Sequence, residues 1–570
     1  MKIATVSIDL YRYELHALIK AFYPEEDVKV FVLPDRAETP EDAALTAAYE
    51  RDVRNFVREK GGDGETSAVP FLGVHYEPET LTVHVTGWPE AGAGAREGNP
   101  GENIPAGMEA APSAAVFLYE PGQEELPDGF SGPFDVGSQA LKTALKHMLY
   151  RIFSERTGRQ LPWGELIGIR PTKLAMERME RGMTGEEAAR ALEKNYHVSR
   201  EKAQLAAAIA EREQEILSKT HCEAGCSLYI GIPFCPTTCL YCSFTSYPLA
   251  DWKEEGDHYL DALELELRGT AELMDAGRFV LDTIYIGGGT PTTLEPAQLE
   301  RLLGIVEECY PTGRLLEFTC EAGRPDSITR DKLRVLRVHG VDRISVNPQS
   351  MNERTLRLIG RAHRPEQVVR AFHMAREEGF ENINMDMILG LPEETEEEVR
   401  ATMRALAALR PDDLTVHSLA LKRGSRMQAW IEENGFCSLR NTEETMRIAA
   451  EGAAEMGLVP YYLYRQKNMS GNFENVGYAR PAVGDRPARY GIYNILIMEE
   501  KQTILACGAG TSTKVVVPDG EGKPGGRTIA RCFDPRDLRT YLEHVEACVQ
   551  RKRELLEKMG RLDAGRRALP

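Results

Sequence analysis

The pattern of apolar and polar residues changes twice along this chain of 570 residues. Residues 1–136 mix short strand-like runs with an acidic helical stretch, and they predict an N-terminal α/β region. Over 137–218, apolar residues recur at spacings of three and four, which is typical of amphipathic helices and predicts a helical connecting region. Residues 89–113 are rich in Gly, Ala, Pro and Glu without any period, which predicts a flexible segment.

Beyond residue 227, short β-rich runs alternate with amphipathic helical stretches. Apolar strands that are each followed by a helix predict a parallel sheet with helices outside. Six such repeats favour an α/β fold with a partial (β/α)6 barrel over 219–435, followed by a C-terminal domain over 436–570. In such barrels the chemistry lies at the carboxyl ends of the strands. The predicted strands cover 228–232, 282–286, 315–320, 343–346, 382–388 and 414–419.

Composition narrows the class of protein. The formal net charge of −19 argues against a nucleic-acid partner, which would need a basic stripe on the surface. No run approaches the ~18 consecutive apolar residues of a membrane helix, and the N-terminus does not resemble a signal peptide. Eleven cysteines without an export signal indicate a reducing compartment. We therefore expect a soluble, cytoplasmic protein without a membrane span.

A group of three cysteines, Cys235, Cys239 and Cys242, follows the first predicted barrel strand. A cubane [4Fe–4S] cluster normally takes four thiolates, so three can hold it and leave one iron open for a ligand. Structural zinc is the alternative, but it prefers a second cysteine pair or histidines farther along the chain. Neither follows here, and the spacing therefore favours a cluster.

Polar or glycine-rich positions also follow the other predicted strands. The run 287–292, Gly-Gly-Gly-Thr-Pro-Thr, is neither a phosphate loop nor a dinucleotide fingerprint, and it offers backbone without Cβ atoms to a flat ligand. Glu321, Gln349 and Asp386 end the third, fourth and fifth strands, and Arg361 follows the fourth. A carboxylate can hold an ammonium group, and an arginine can hold a carboxylate with two hydrogen bonds.

Three features stay open at this point. Cys222 and Cys226 could be alternative cluster ligands, but they precede the first strand and would lie on its other side. His417 ends the sixth strand and is at least as readily structural as functional. The loop 163–173 could touch a ligand, although a loop that links helices is more often only structural.

The motifs together identify a family. They are the cysteine triad with Tyr241 before its last member, the glycine run, and the segments 343–350, 359–363, 384–395 and 508–514. With them the chain resembles, over roughly 226–520, the radical S-adenosylmethionine (SAM) family of oxygen-independent coproporphyrinogen III oxidases, also called dehydrogenases. The whole chain resembles the long, Gram-positive-type subgroup.

The resemblance implies a [4Fe–4S] cluster on the triad and SAM as a second cofactor. It implies that residues 472–473 and 508–512 close the active site, and that Tyr229 and Glu321 also act in catalysis. The residues that it implies for SAM are Tyr229, Tyr241, Gly288, Gly289, Thr290, Glu321, Gln349, Arg361, Asp386 and Ala420.

The resemblance also implies a reaction, the oxidative decarboxylation of two propionates of coproporphyrinogen III to vinyl groups. The product would be protoporphyrinogen IX, an intermediate of heme biosynthesis. The partners would be a tetrapyrrole substrate and a small electron donor such as flavodoxin or ferredoxin. Two positions depart from the decarboxylating members, which have a histidine where Gly231 stands and a fourth cysteine where Phe244 stands. A radical SAM protein that binds or carries heme without decarboxylation, or one that acts on heme itself, therefore stays an alternative, whereas a zinc ribbon is nearly excluded.

Overall fold

The fold is known from a computed structural model. It describes residues 2–6, 12–23, 28–32, 72–77, 80–85, 115–119, 139–168, 170–244, 246–248, 252, 255–420, 425–434, 441–466, 469–518 and 527–562. The predicted flexible segment at 89–113 lies outside the described residues. The chain divides into two compact units, residues 1–169 with 186–204, and residues 170–185 with 205–570. None of the helices in the described ranges is both long and apolar enough to cross a membrane.

The first unit contains a five-stranded sheet with strand order β2-β1-β3-β4-β5. Strand β1 runs parallel to β2 and β3, whereas β3, β4 and β5 are antiparallel. Apolar residues of α1 and α2 form one buried cluster with β1, β2 and β3. The elements are β1 Lys2–Val6, α1 Arg12–Phe22, β2 Val28–Val32, β3 Leu72–Glu77, β4 Thr80–Val85, β5 Ala115–Tyr119 and α2 Gln139–Thr157.

The described part of residues 137–218 is mainly helical, while its assignment as a separate connecting region stays a prediction. After α2 it continues with α3 Pro171–Glu180, α4 Gly185–Tyr196 and α5 Arg200–Leu217. Helix α3 begins at a proline, which has no N–H to leave unpaired and already has a helical φ angle.

The partial (β/α)6 barrel is confirmed as well. Strands β6, β9, β10, β11, β12 and β13 are neighbours in that order and all run parallel. The elements are β6 Gly225–Ile232, β7 Phe234–Cys235, β8 Tyr247–Pro248, α6 Glu255–Ala276, β9 Val280–Gly288, α7 Pro296–Cys309, β10 Glu317–Gly323, α8 Arg330–Val338, β11 Arg343–Val346, α9 Glu353–Leu358, α10 Pro365–Glu377, β12 Asn382–Leu389, α11 Glu396–Leu409 and β13 Asp413–Ser418.

The C-terminal elements extend the same sheet at both edges. Strand β15 pairs antiparallel with β13 and then with β14, while β16 pairs parallel with β6 and antiparallel with β17, which pairs with β18. The predicted domain boundaries at 136, 218 and 435 stay a prediction. The elements are α12 Met427–Asn434, α13 Glu443–Glu455, β14 Val459–Tyr464, β15 Asn475–Ala479, α14 Ile492–Glu499, β16 Thr503–Cys507, β17 Ser512–Pro518, β18 Arg527–Phe533, α15 Leu538–Glu543 and α16 Val545–Lys558.

A buried polar network lies at the amino ends of the barrel strands, and we call it the barrel-base network. It consists of Glu317, Arg343, Asp413 and Tyr461. Arg343 Nη2 donates a hydrogen bond of 2.5 Å to Asp413 Oδ2, which also accepts one of 2.9 Å from the Tyr461 hydroxyl. Glu317 accepts a bond from the backbone N–H of Ile492. The network therefore ties β10, β11 and β13 to two C-terminal elements, away from the strand ends where chemistry is expected.

Candidate active site

The three cysteines line one cavity of about 440 Å³ beyond the carboxyl end of β6. The backbone N–H of Cys242 donates a hydrogen bond of 3.3 Å to the carbonyl of Cys239, which folds the loop into a turn. Cys235 Sγ lies 3.5 Å from Thr290 Oγ1, and Arg324 Nη1 lies 3.8 Å from Cys239 Sγ. Burial raises the pKa of Cys235 to about 11 and also raises that of Cys242. The thiols are thus gathered in one largely buried place, as a shared ligand requires.

The same cavity receives side chains and backbone from the ends of β9 to β13. Every residue predicted to bind SAM lines it, except Tyr229. Those that do are Tyr241, Gly288, Gly289, Thr290, Glu321, Gln349, Arg361, Asp386 and Ala420. The roles of these residues stay predictions, but the fold brings them together with the three thiols.

Tyr229 lies on a second, smaller cavity of about 50 Å³ on the other side of Gly288. Its ring stacks on Tyr285 and Tyr493, with centroid separations of 6.0 and 6.1 Å. Residues 509–511, part of the predicted closing segment 508–512, line this cavity too. Phe244 contributes to both cavities, and 75% of its surface is exposed.

Two acidic side chains at the strand ends differ in protonation. Glu321 accepts a hydrogen bond of 2.5 Å from the Tyr285 hydroxyl, and burial raises its pKa to about 7. Burial also acts to raise the pKa of Asp386, but the nearby His417 and a hydrogen bond of 2.7 Å from Asn384 Nδ2 outweigh it and lower the pKa. Asp386 therefore carries a negative charge at neutral pH, whereas Glu321 is near its midpoint.

His417 is part of this cavity wall rather than of the surrounding core. Its Nε2 atom lies 3.7 Å from Asp386 Oδ2, and its Nδ1 atom lies 3.2 Å from the Tyr464 hydroxyl. The ring is thus oriented by a carboxylate on one side and a phenol on the other.

Several buried polar atoms of the cavity have no hydrogen-bond partner among the described residues. They are Asn347 Oδ1, Gln349 Oε1 and Arg361 Nε. The rest of the Arg361 guanidinium is fixed, since Nη1 donates to the carbonyl of Asn347 (2.6 Å) and Nη2 to the Tyr241 hydroxyl (3.3 Å). Buried polar groups are nearly always paired, so three orphans in one wall indicate a polar ligand.

Sequence reasoning missed further cavity residues. Arg324 and Asn347 directly follow β10 and β11, so the rule that polar residues at strand ends form the site could have found them. Tyr464, Gln466 and Asn475 come from the β14–β15 pair, and only the pairing of β15 with β13 brings them to the site. Cys222 and Cys226 do not line the cavity. Cys226 lies at the start of β6, at the opposite end from Cys235.

Comparison with known proteins identifies the family. Residues 229–406 match the Radical SAM superfamily. The oxygen-independent coproporphyrinogen-III oxidase-like protein HemZ of Bacillus subtilis (strain 168) is 38% identical over 421 residues, which cover 74% of this chain and 82% of the relative. The chain belongs to the radical SAM family of oxygen-independent coproporphyrinogen III oxidase-like proteins.

Other members of the radical SAM superfamily match a shorter stretch. The heme chaperone HemW of Bacillus subtilis (strain 168) is 38% identical over 197 residues, which are 34% of this chain and 51% of that one. The oxygen-independent coproporphyrinogen III oxidase of Escherichia coli (strain K12) is 38% identical over 194 residues, which are 34% of this chain and 42% of the relative. The solved structure of coproporphyrinogen III oxidase (HemN) from Escherichia coli is 24% identical, with a TM-score of 0.44 over 60% of this chain and 73% of that one.

The cavity fits the cofactors of a radical SAM protein, which are a [4Fe–4S] cluster and SAM. Among the residues that the structure describes, these three cysteines alone line it, so a cubane held by them keeps one iron for another ligand. A Cβ atom on Gly289 would lie 2.5 Å from the carbonyl oxygen of Phe234, so only glycine lets the 287–290 backbone pass this close to the cysteine loop. The three orphan polar atoms supply partners for a polar ligand beside it.

The two departures from decarboxylating radical SAM members lie close together. Gly231 and Phe244 both line the smaller cavity, together with Tyr229. A Cβ atom on Gly231 would lie 2.6 Å from Thr511 Cγ2, so a larger side chain at this position requires Thr511 to move. Both positions at which the resemblance implies a departure therefore lie on the smaller cavity.

Proposed function

We propose that this radical SAM protein oxidatively decarboxylates two propionate side chains of coproporphyrinogen III to vinyl groups, which yields protoporphyrinogen IX for heme biosynthesis. One observation carries the proposal: the cysteine triad shares a cavity with every residue predicted for SAM except Tyr229. The similarity to the oxidase-like HemZ protein over 82% of that relative supports the choice of substrate. Free thiols at every described cysteine fit the reducing cytoplasm that we propose for it.

Different residues of the cavity would bind the two cofactors. Cys235, Cys239 and Cys242 would hold the cluster as thiolates. Arg361 has a free Nε and would bind the carboxylate of the second cofactor. Asp386 would bind its ammonium group, and Asp386 or Gln349 would bind its ribose hydroxyl groups. The bound cofactors supply one-electron chemistry that removes a hydrogen atom from the substrate.

Other parts of the chain keep water away from the reacting atoms. Ile388 and Leu419, which are almost fully buried, form apolar wall next to the polar groups of the cavity. Phe234 is completely buried behind the cysteine loop. Excluding water protects a reactive species and strengthens the electrostatic interactions inside the site.

Each conversion removes one hydrogen atom, one CO2 and one electron from a propionate side chain, and leaves a vinyl group. An external acceptor must take that electron, and a small donor such as flavodoxin or ferredoxin would reduce the cluster. The substrate is a tetrapyrrole with several carboxylates.

An anaerobic assay tests this function. Reconstituted protein, reduced and supplied with SAM and coproporphyrinogen III, should release CO2 and vinyl products that mass spectrometry detects. Cys239→Ala should lose cluster iron, SAM cleavage and CO2 release together. Cys222→Ala is the matched control, because Cys222 is a half-buried cysteine outside the cavity, and it should retain all three.

A second function has its own support. The changed wall at Gly231 and Phe244, and the similarity to the heme chaperone HemW, favour a radical SAM protein that binds heme without decarboxylation. Intact cluster, cleavage of SAM and stoichiometric binding of heme, without CO2 from coproporphyrinogen III, would decide for this alternative. A changed mass of added heme would instead indicate an enzyme that acts on heme.

A further inference from the structure

A second group of metal-ligand side chains lies in the first compact unit, apart from the barrel. It consists of His147, Glu165 and His197, which we call the His-Glu-His group. The Nδ1 atoms of His147 and His197 lie 2.8 and 2.7 Å from the same oxygen, Oε1 of Glu165. One ligand atom from each residue lies within 4.8 Å of the other two. The three groups thus converge on one point.

The backbone holds Glu165 and His197 in fixed positions. The N–H of Glu165 donates a hydrogen bond of 3.0 Å to the carbonyl of Tyr196, the residue before His197. Gly164 has a φ of +51°, and a Cβ atom there would lie 1.9 Å from that carbonyl oxygen. His197 itself has a φ of 54°, which is uncommon for a residue with a side chain. Such conformations persist where the surroundings impose them, and they cluster at binding sites.

Aromatic contacts orient the two imidazole rings. The Tyr150 ring stacks on His197 with centroids 4.9 Å apart, and the His147 and His197 rings are 4.4 Å apart. The Tyr150 hydroxyl also accepts a hydrogen bond of 3.2 Å from the N–H of Leu161, at the start of the turn that carries Glu165. One side chain therefore fixes both the ring of His197 and the loop of Glu165.

We propose that His147, Glu165 and His197 bind one divalent transition-metal ion, and that zinc is its occupant. Two imidazoles and one carboxylate are a known donor set for zinc, which leaves at least one position for water. Because imidazole ligands suit several first-row metals, the preference among them depends on geometry and availability. The site is independent of the proposed function of the barrel.

The two contacts to Glu165 have to lengthen when an ion binds. Ligand atoms around tetrahedral zinc at about 2.0 to 2.1 Å lie about 3.3 Å apart, so the two contacts to Glu165 have to open by roughly half an ångström. The solvent side of both rings leaves room for this small shift, because 18% of the His147 side chain and 30% of the His197 side chain are exposed. The same exposure gives water access to the open position, while the Glu165 side chain is only 2% exposed.

A comparable cluster in the barrel unit already contains a cationic side chain between its carboxylates. Glu266, Asp534 and Cys548 also bring ligand atoms together. There the ammonium group of Lys552 lies between the carboxylates, 3.1 Å from Asp534 Oδ2 and in a hydrogen bond with Glu266. A buried lysine already supplies the cation at that place. In the His-Glu-His group the carboxylate instead meets two imidazole nitrogens, an atom type that commonly binds metal ions.

Metal analysis of the reconstituted full-length protein tests the proposal. After equilibration with Zn2+ and removal of loosely bound ions, one zinc ion per chain is expected in addition to the cluster iron. Glu165→Gln and His147→Gln should each weaken zinc binding by about 100-fold or more, since even outer-shell changes cost 10- to 100-fold. The control His258→Gln should bind zinc normally, because His258 is an exposed histidine beside Glu255 on a helix surface.

Co2+ added in place of zinc provides a readout that does not depend on any variant. Its visible spectrum should show nitrogen and oxygen ligands, without the thiolate-to-metal charge-transfer band that binding at cysteines would produce. The absence of extra metal in the unmodified protein, or a thiolate band, would overturn the proposal. Normal zinc binding by both Glu165→Gln and His147→Gln would do the same. Cluster iron and SAM cleavage should stay unchanged in these variants, so a failure here is distinguishable from a failure of the barrel chemistry.

Discussion

At the scale of single residues, Gly231 limits the shape of the smaller cavity. Gly231 leaves no room for a side chain, because Thr511 Cγ2 would lie 2.6 Å from its Cβ atom. Thr511 is not free to rotate, since its hydroxyl donates a hydrogen bond of 2.9 Å to Asp534, which in turn contacts Lys552. A larger residue at 231 therefore requires a change in the buried polar cluster behind Thr511.

This constraint predicts the effect of Gly231→Ala. The added methyl group should lower the free energy of unfolding by about 1 to 3 kcal/mol, the usual cost of overpacking a tight interior. Combining it with Thr511→Ser should recover most of that loss, because serine lacks the clashing methyl but keeps the hydroxyl. Urea unfolding of the single and double variants measures both values.

Gly304→Ala is the matched control for this pair. Gly304 lies within helix α7, and a Cβ atom there meets no atom within 4 Å. Alanine should therefore stabilise the helix by about 0.5 to 1 kcal/mol. If Thr511→Ser gives no recovery when combined with Gly231→Ala, the methyl clash is not the cause of the loss.

At the scale of elements, the barrel-base network joins strands that are far apart in sequence. Arg343 at the start of β11 pairs with Asp413 at the start of β13, although 70 positions separate them. Both side chains are almost completely buried. Removing one partner of such a pair leaves an uncompensated buried charge, which typically costs 3 to 5 kcal/mol, so the pair favours this order of strands over others.

Glu317 in the same network predicts a pH dependence. Burial raises its pKa to about 7 from an ordinary value of 4.5. A group whose pKa is higher in the folded state contributes stability that is fully present below about pH 4.5 and is lost as the pH rises through about 7. Relative to Glu317→Gln, the free energy of unfolding of the unmodified protein should therefore fall by about 2 to 3 kcal/mol between pH 5 and pH 8.

Urea unfolding at several pH values measures this difference. Substitution of the exposed Glu543 by glutamine is the control, and its stability relative to the unmodified protein should change little over the same interval. Parallel pH profiles for the protein and its Glu317→Gln variant would contradict the prediction. They would mean that Glu317 stays ionised in the folded protein, with Arg343 compensating its charge.

The strands of the barrel could be predicted from sequence because their pattern is local. Each apolar run, such as 282–286, is followed within the chain by its own helix, and short-range signals suffice. Some alternate residues of these strands are polar, as Asn384 and Asp386 are in β12. Asn384 donates a hydrogen bond of 2.7 Å to Asp386, and it accepts one of 3.1 Å from the Thr415 hydroxyl on β13. Such positions are stable only because a neighbouring strand supplies the partner.

The edges of the sheet could not be predicted for a related reason. Strand β16 pairs with β6 across more than 270 positions, and no local pattern specifies that partner. The same holds for β15, which brings Asn475 to the cavity. The cysteine triad needed no such information, because its three ligands come from one loop. Tyr229 was grouped with SAM by family resemblance alone, and the register of β6 places it on the other cavity.

At the scale of the whole molecule, each of the two compact units contains one of the two proposed ligand sites, made from its own residues. The cavity of the cysteine triad lies within the unit of residues 205–570, and the His-Glu-His group lies within that of 1–169 and 186–204. A ligand that binds only the folded state stabilises it by about 2.7 kcal/mol at 100 times its dissociation constant. Each ligand should therefore make local unfolding rarer in the unit that contains its site.

Hydrogen exchange followed by mass spectrometry can separate these responses. In the anaerobic, cluster-loaded protein, SAM should slow exchange in peptides from the ends of β9 to β13, with the largest effect where residues 343–363 carry Gln349 and Arg361. Zinc should slow exchange in peptides from 139–168 and 186–204 instead. Asp386→Ala should abolish only the first response and Glu165→Gln only the second, because each removes a proposed ligand contact from one site. If SAM protected residues 139–168 as strongly as residues 343–363, the two sites would be coupled, and the assignment of each ligand to one unit would be wrong.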